Sequence, residues 1–163
     1  MPANPILIAA CGNALAGDDA FGPAVASELS RMNVPGVDTV DLGNRPAALL
    51  DELEGRQAVC VVDAAMSEVM PPGELLEMDF FCRHGIRLAV DEVVSTHGLS
   101  IASQLSLARK LGQLPHEVHL VAAVLDDVKF GTPMSYRIAE QVIPACELIK
   151  RWVARQQARL APE

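Results

Sequence analysis

Residues 5–32 read PILIAACGNALAGDDAFGPAVASELSRM, and the architecture follows from this stretch. Pro5 to Cys11 is a continuous apolar run with no polar alternation, which predicts a strand buried on both faces. Gly12 and Asn13 break it. After a short loop, Phe21, Val25, Leu29 and Met32 recur at helical spacing. Pro23 suits that helix because it falls in the first turn, where its missing N–H is no loss.

The pattern repeats downstream. Val37 to Leu42 reads as a second strand closed by Gly43-Asn44, and Pro46 to Glu54 as a short helix. Ala58 to Val62 reads as a third buried strand with Asp63 at its carboxyl end. The order β-α-β-α-β predicts a mostly parallel sheet with helices on both faces. Pro71-Pro72-Gly73 marks a turn, and Glu74 to Phe80 alternates weakly, as an added, antiparallel strand would. Residues 85–94 carry no clear pattern. A helix is expected from Gly98 to Leu111, stopped by Gly112, and a buried strand from Val118 to Leu125. The last helix is expected from an N-cap at Ser135 to about Arg155, kinked or split at Pro144. Residues 1–163 then form a single domain, with 154–163 a fraying tail.

The bulk numbers narrow the function classes. Half of the 163 residues are hydrophobic, an ordinary globular content, so a core can form without disulfide or metal staples. The net charge of −8 argues against nucleic acid and anionic membranes, both of which attract clustered positive charge. No basic start precedes an apolar core at the N-terminus, and no apolar run reaches the ~18 residues of a membrane span, so neither a signal peptide nor a membrane segment is expected. Cys11, Cys60, Cys82 and Cys146 form no Cys-x-x-Cys pair. Buried free thiols in a reducing cytoplasm are the expectation.

Ligands of open parallel sheets bind beyond the carboxyl ends of the strands. Three polar segments emerge there: Gly12 to Gly22 with Asp18 and Asp19, Asp63-Ala64-Ala65, and Ser95-Thr96-His97-Gly98. Each has a plain structural explanation. Asp18 or Asp19 can cap the following helix, Asp63 a turn, and His97 can neighbour an N-cap. Taken together they weigh more. A carboxylate ending a run as apolar as Ala58 to Val62 is costly to bury unless it is paired or used. Two carboxylates and an imidazole at one edge are a donor set for a divalent ion such as Zn²⁺ or Ni²⁺. The same groups can also act as general base and orienter. Other motifs fail on spacing. His116-Glu117-Val118-His119 has one residue too few between its histidines for the helical zinc-protease motif and leads into a strand. No Lys-Ser/Thr follows the Gly12–Gly17 loop, its glycine spacing is not that of a dinucleotide fingerprint, and no Gly-x-Ser-x-Gly elbow exists. A flavodoxin-like nucleotide-binding module is therefore disfavoured.

Cys11-Gly12-Asn13-x4-Asp18-Asp19-x-x-Gly22-Pro23, then Val61-Val62-Asp63-Ala64-Ala65, then Ser95-x-His97 resemble the hydrogenase maturation endopeptidases. The likeness extends to Leu114-Pro115-x-Glu117-Val118 and Gly131-x-Pro133-x-Ser135, and so spans nearly the whole chain. It implies a three-layer α/β/α sandwich around a five-stranded, mostly parallel sheet with one antiparallel strand. It implies an aspartyl-type endopeptidase that removes the C-terminal extension of a nickel-iron hydrogenase large-subunit precursor after nickel insertion. Carried over by position, the metal-binding and catalytic trio is Asp19, Asp63 and His97. The resemblance also implies that the nickel belongs to the nickel-loaded precursor and is not permanently held. Asp18 then caps the helix, and Asn13 and Gly43 shape the cleft. Asp19 stands where many members have Glu, Ala10 where Gly is usual, and Leu42-Gly43-Asn44 where a Gly-Gly-Thr type loop is usual. The late strand ends in Leu125-Asp126-Asp127 rather than in a Pro-containing turn. A non-proteolytic nickel carrier or checkpoint protein using the same trio is the alternative.

Overall fold

Strand β1 (Ile6–Cys11) is buried at every residue. Its side chains alternate between two hydrophobic cores, which is why its sequence shows no polar alternation. Ile6, Ile8 and Ala10 face one core, and Leu7, Ala9 and Cys11 the other. The computed structural model describes residues 3–67, 70–80, 93–95, 98–126 and 129–162.

The remaining elements follow in chain order. Helix α1 (Phe21–Met32) leads to β2 (Val37–Gly43), and α2 (Leu49–Glu52) follows a 3₁₀ turn at Pro46–Ala48. Then come β3 (Ala58–Ser67), β4 (Leu75–Asp79), β5 (Val93–Ser95), α3 (Gly98–Lys110), β6 (Glu117–Val124), α4 (Tyr136–Ala139) and α5 (Val142–Leu160). The sheet runs β2-β1-β3-β6-β4. Its first four strands are parallel, and β4 runs antiparallel to β6, as expected for residues 74–80. The three-residue β5 adds an antiparallel pairing on the far end of β3.

Both faces of the sheet are covered. On one, Val25 and Leu29 of α1 pack with Ile149 and Trp152 of α5. On the other, Leu49 of α2 and the following Leu53 pack with Ile101, Leu105 and Ala108 of α3. Burying each Leu or Ile contributes roughly 1.5–3 kcal/mol, so these two layers hold the helices to the sheet. The layered α/β/α arrangement matches expectation.

Two expectations need correction, on the third strand and on the tail. The third strand does not end at Val62. It runs on to Ser67, because β6 pairs with it through Ala65 and β5 pairs with Ala65 to Ser67, while its pairing with β1 stops at Val62. Asp63 is therefore inside a strand, one residue beyond its last partner on β1. The final helix is split, as expected, though a few residues before Pro144: α4 ends at Ala139, and Pro144 falls in the first turn of α5, where proline is tolerated. Residues 154–160, expected to fray, continue α5. Gln156 is buried, the Gln157 side-chain amide donates to the Pro35 carbonyl at 2.7 Å, and Arg159 pairs with Glu117 at 2.6 Å.

His119 supports the structural reading of its motif. It lies on β6, stacked on Trp152 with ring centroids 5.6 Å apart, and bonded to Glu77 Oε1 at 2.9 Å. No described helix is long and apolar enough to cross a membrane.

Candidate functional site

The site is built where β1, β2 and β3 reach their common edge. Two glycines set it. Gly12 has φ +138°, and a Cβ there would stand 2.1 Å from the Asp19 carbonyl oxygen. A Cβ on Gly22 would stand 2.1 Å from the Cys11 carbonyl oxygen and 3.2 Å from that of Val62. Only hydrogen at both positions lets the chain after β1 fold back and seat the start of α1 against the ends of β1 and β3. The 3₁₀ turn Gly17–Ala20, with Asp18 and Asp19, is thereby pressed to the sheet edge.

Asp19 is only 4% exposed, and its Oδ2 accepts the Asn13 backbone N–H at 2.9 Å. Asn13 Oδ1 in turn accepts the Leu15 N–H at 2.9 Å. Asp63 is 6% exposed, and its Oδ1 accepts the N–H of Ala64 at 2.8 Å. Both carboxylates are thus buried and held by backbone donors.

Asp41 joins them. Burial pushes the Cys11 thiol well above its ordinary range, and the charges of Asp63, Asp41 and Asp19 push it further. All three lie near enough to the end of β1 for their charges to act on Cys11, Asp41 from an exposed position. Cys60 is raised by burial too, and Cys146 is pushed up to about 11, chiefly by burial. Cys11, Cys60 and Cys146 are free and buried, as expected; Cys82 lies outside the described residues.

Sequence reasoning passed over Asp41. The available signal was a carboxylate near the carboxyl end of a parallel strand, the same signal that singled out Asp63. Gly43, expected to shape the cleft, does stand at this edge. Its carbonyl accepts the Gly12 N–H at 3.0 Å, and its own N–H reaches Asp41 Oδ1 at 2.9 Å. The pairing of β1 with β2 slips by one residue here, between Ala10 and Cys11.

Asp18 differs from expectation. It does not cap α1, whose N-cap residue is Ala20 without a side-chain bond. Buried like its neighbour, it turns to the far end of the chain, where its Oδ1 accepts the Ser135 N–H at 2.7 Å. Ser135 in turn does open α4, but its hydroxyl makes no capping bond. Carboxylate and helix start satisfy each other across 117 positions of sequence.

His97 lies outside the described residues, as does Thr96. The flanking backbone is described: β5 ends at Ser95, opposite Ala65, and α3 begins at Gly98. Among the described residues no group of three or more metal-ligating side chains converges. Asp19 and Asp63 each carry carboxylate oxygens, the donor type that hard and borderline divalent ions take.

Comparison with known proteins is consistent over most of the chain. The family model described as hydrogenase maturation protease matches residues 23–152. A Methanocaldococcus jannaschii protein with the same designation is 32% identical over 161 residues, covering 91% of this chain and 96% of that relative. The hydrogenase 2 maturation protease of Escherichia coli is 25% identical over 146 residues, 88% of this chain and 87% of its own length. Among solved structures, the hydrogenase maturating endopeptidase HybD of Escherichia coli superposes with a TM-score of 0.81, covering 93% of each chain. At 22% identity that last likeness speaks for the fold.

Proposed function

This chain belongs to the hydrogenase maturation protease family, and from that premise we propose that it removes the C-terminal extension of a nickel-iron hydrogenase large-subunit precursor once nickel has been inserted. The observation that carries this reading is the burial of two carboxylates, Asp19 and Asp63, at one edge of a parallel sheet. Held by backbone N–H donors, both are positioned to meet a cation or a scissile bond brought to that edge.

The nickel is part of the substrate. Asp19, Asp63 and His97 would take up its open coordination positions, which converts metal loading into a condition for cutting. A precursor without nickel lacks the shared ligand, so its scissile bond is not brought to the site. The hydrolysis is of aspartyl type: one carboxylate takes a proton from water, and the water oxygen bonds to the scissile carbonyl carbon. The C–N bond then breaks and the proton passes to the leaving amine. Asn13, through its bond to Asp19, and Gly43, through its bonds to Gly12 and Asp41, hold the cleft walls. Membership in a protease family favours this reading over a non-proteolytic nickel carrier. A cytoplasmic place of action fits the three free, buried thiols.

The test is mass spectrometry of a nickel-loaded precursor incubated with wild-type, Asp63→Asn and His97→Ala proteins. Wild type is expected to release the extension, and each variant to lose at least a hundredfold in rate. Normal cleavage by both variants overturns the assignment.

A further inference from the structure

The described surface carries several large, exposed apolar side chains, and four gather at the edge that holds Asp19 and Asp63. Leu15 is 67% exposed, Met66 56%, Phe130 75% and Tyr136 79%. They follow three adjacent strands. Leu15 lies in the loop after β1, Met66 on the extension of β3 beyond Asp63, and Phe130 and Tyr136 on the segment from β6 to α4.

Isolated exposed apolar residues are common on soluble proteins, but clustering at one edge is not their usual distribution. Nor are Leu15 and Phe130 on slack loops. The Gly131 N–H donates to the Leu15 carbonyl at 2.8 Å, and the Gly17 N–H donates to the Thr132 carbonyl at 3.1 Å. The Asp18–Ser135 bond closes the same seam. A relay of bonds then joins the rim to the site: Leu15 N–H to Asn13 Oδ1, and Asn13 N–H to Asp19 Oδ2. An apolar platform is thus held in fixed register with a buried carboxylate.

We propose that Leu15 and Phe130, with Met66 and Tyr136 at the same sheet edge, form the docking surface for the hydrogenase large-subunit precursor, which seats an apolar patch of its own on them. The proposal rests on the processing function given above and names how that partner is held. Carboxylates as deeply buried as Asp19 and Asp63 can read only a group inserted between them. The area that binds a protein-sized substrate must therefore lie around them, and among the described residues this rim is an apolar surface at the same edge as the site. Interfaces of this kind draw most of their affinity from a few large apolar anchors.

The test measures binding of nickel-free precursor, which the proposed function leaves uncut, by biolayer interferometry. It compares wild type, the double variant Leu15→Ser/Phe130→Ser, and Leu111→Ser, an exposed residue before β6 at the opposite end of the sheet. Circular dichroism checks that each folds. The double variant is expected to bind at least tenfold more weakly, with Leu111→Ser unchanged. Undiminished binding by the double variant, equal weakening by Leu111→Ser, or no binding by wild type overturns the proposal. So does sedimentation showing that wild type self-associates and the double variant does not, since the rim would then hold a second copy of this chain. Cleavage of nickel-loaded precursor, assayed separately, reports on the processing function itself.

Discussion

Asp18 and Asp19 are adjacent in sequence and equally buried, yet they serve different ends. Asp19 is tied locally, to the Asn13 amide six residues back. Asp18 reaches across the molecule to the Ser135 amide. The bond from Asp18 needs an acceptor oxygen and not a charge, so the two substitutions at this position should part company. Asp18→Asn keeps the acceptor and should process precursor within about threefold of wild type. Asp18→Ala leaves the Ser135 amide unmet and loosens the turn that carries Asp19; outer-shell losses of this kind typically cost about 10–100-fold in activity or metal affinity. Titration of each folded variant with Cd²⁺ as a nickel mimic, beside precursor cleavage, checks this. Equal behaviour of the two variants would show that the charge, and not the tether, matters. Nothing in the doublet Asp18-Asp19 tells which aspartate faces which way, because the partner that claims Asp18 lies 117 positions off in the chain.

The elements were the most readable level. The apolar runs at Ile6–Cys11 and Ala58–Val62 declare strands buried on both faces, and the spacing of Phe21, Val25 and Leu29 declares the helix between them and β2. Where an element stops was less readable, because its neighbours decide that. β3 outruns its apolar core by five residues since β6 and β5 supply hydrogen-bond partners there. At the other end of the sheet, β2 is fastened by Arg56, whose buried guanidinium donates to Asp38 on β2 and, at 2.7 Å, to the Asn4 carbonyl. The bond from Arg56 holds the Asp38 carboxyl below its ordinary value of 3.8, with the Asn4 bonds helping. A lowered folded value means that the pair adds stability above the unfolded value and loses it as pH falls through the folded one. Wild type should therefore exceed Asp38→Asn in urea midpoint at pH 6, and the gap should close as the pH falls below 3.8. A gap that persists unchanged in acid would show that the ion pair is not its source.

For the whole molecule, α5 closes the fold. Its Gln157 side chain binds the loop before β2, and Arg159 binds Glu117 at the start of β6, so the last turns of the chain tie two distant connections together. A chain ending at Arg155 loses the buried Gln156 and both links. One part-exposed hydrogen bond and one surface pair are worth about 1–2 kcal/mol together, so the midpoint of thermal unfolding should drop by roughly 2–8 °C. Calorimetry of the shortened protein measures it, and an unchanged midpoint would mean that these turns do fray. Sequence alone determined the layered α/β plan, the parallel order of the first strands and the edge at which polar residues gather. Those features rest on short-range periodicity and on chain-order rules that any βαβ unit obeys. Only the tertiary structure decided that Asp41 joins Asp19 and Asp63 around Cys11, that Asp18 serves Ser135, and that Leu15 and Phe130 share one rim. Each of these depends on segments far apart in the chain meeting at one place, and hydrophobic periodicity carries no information about which polar side chain will find which partner.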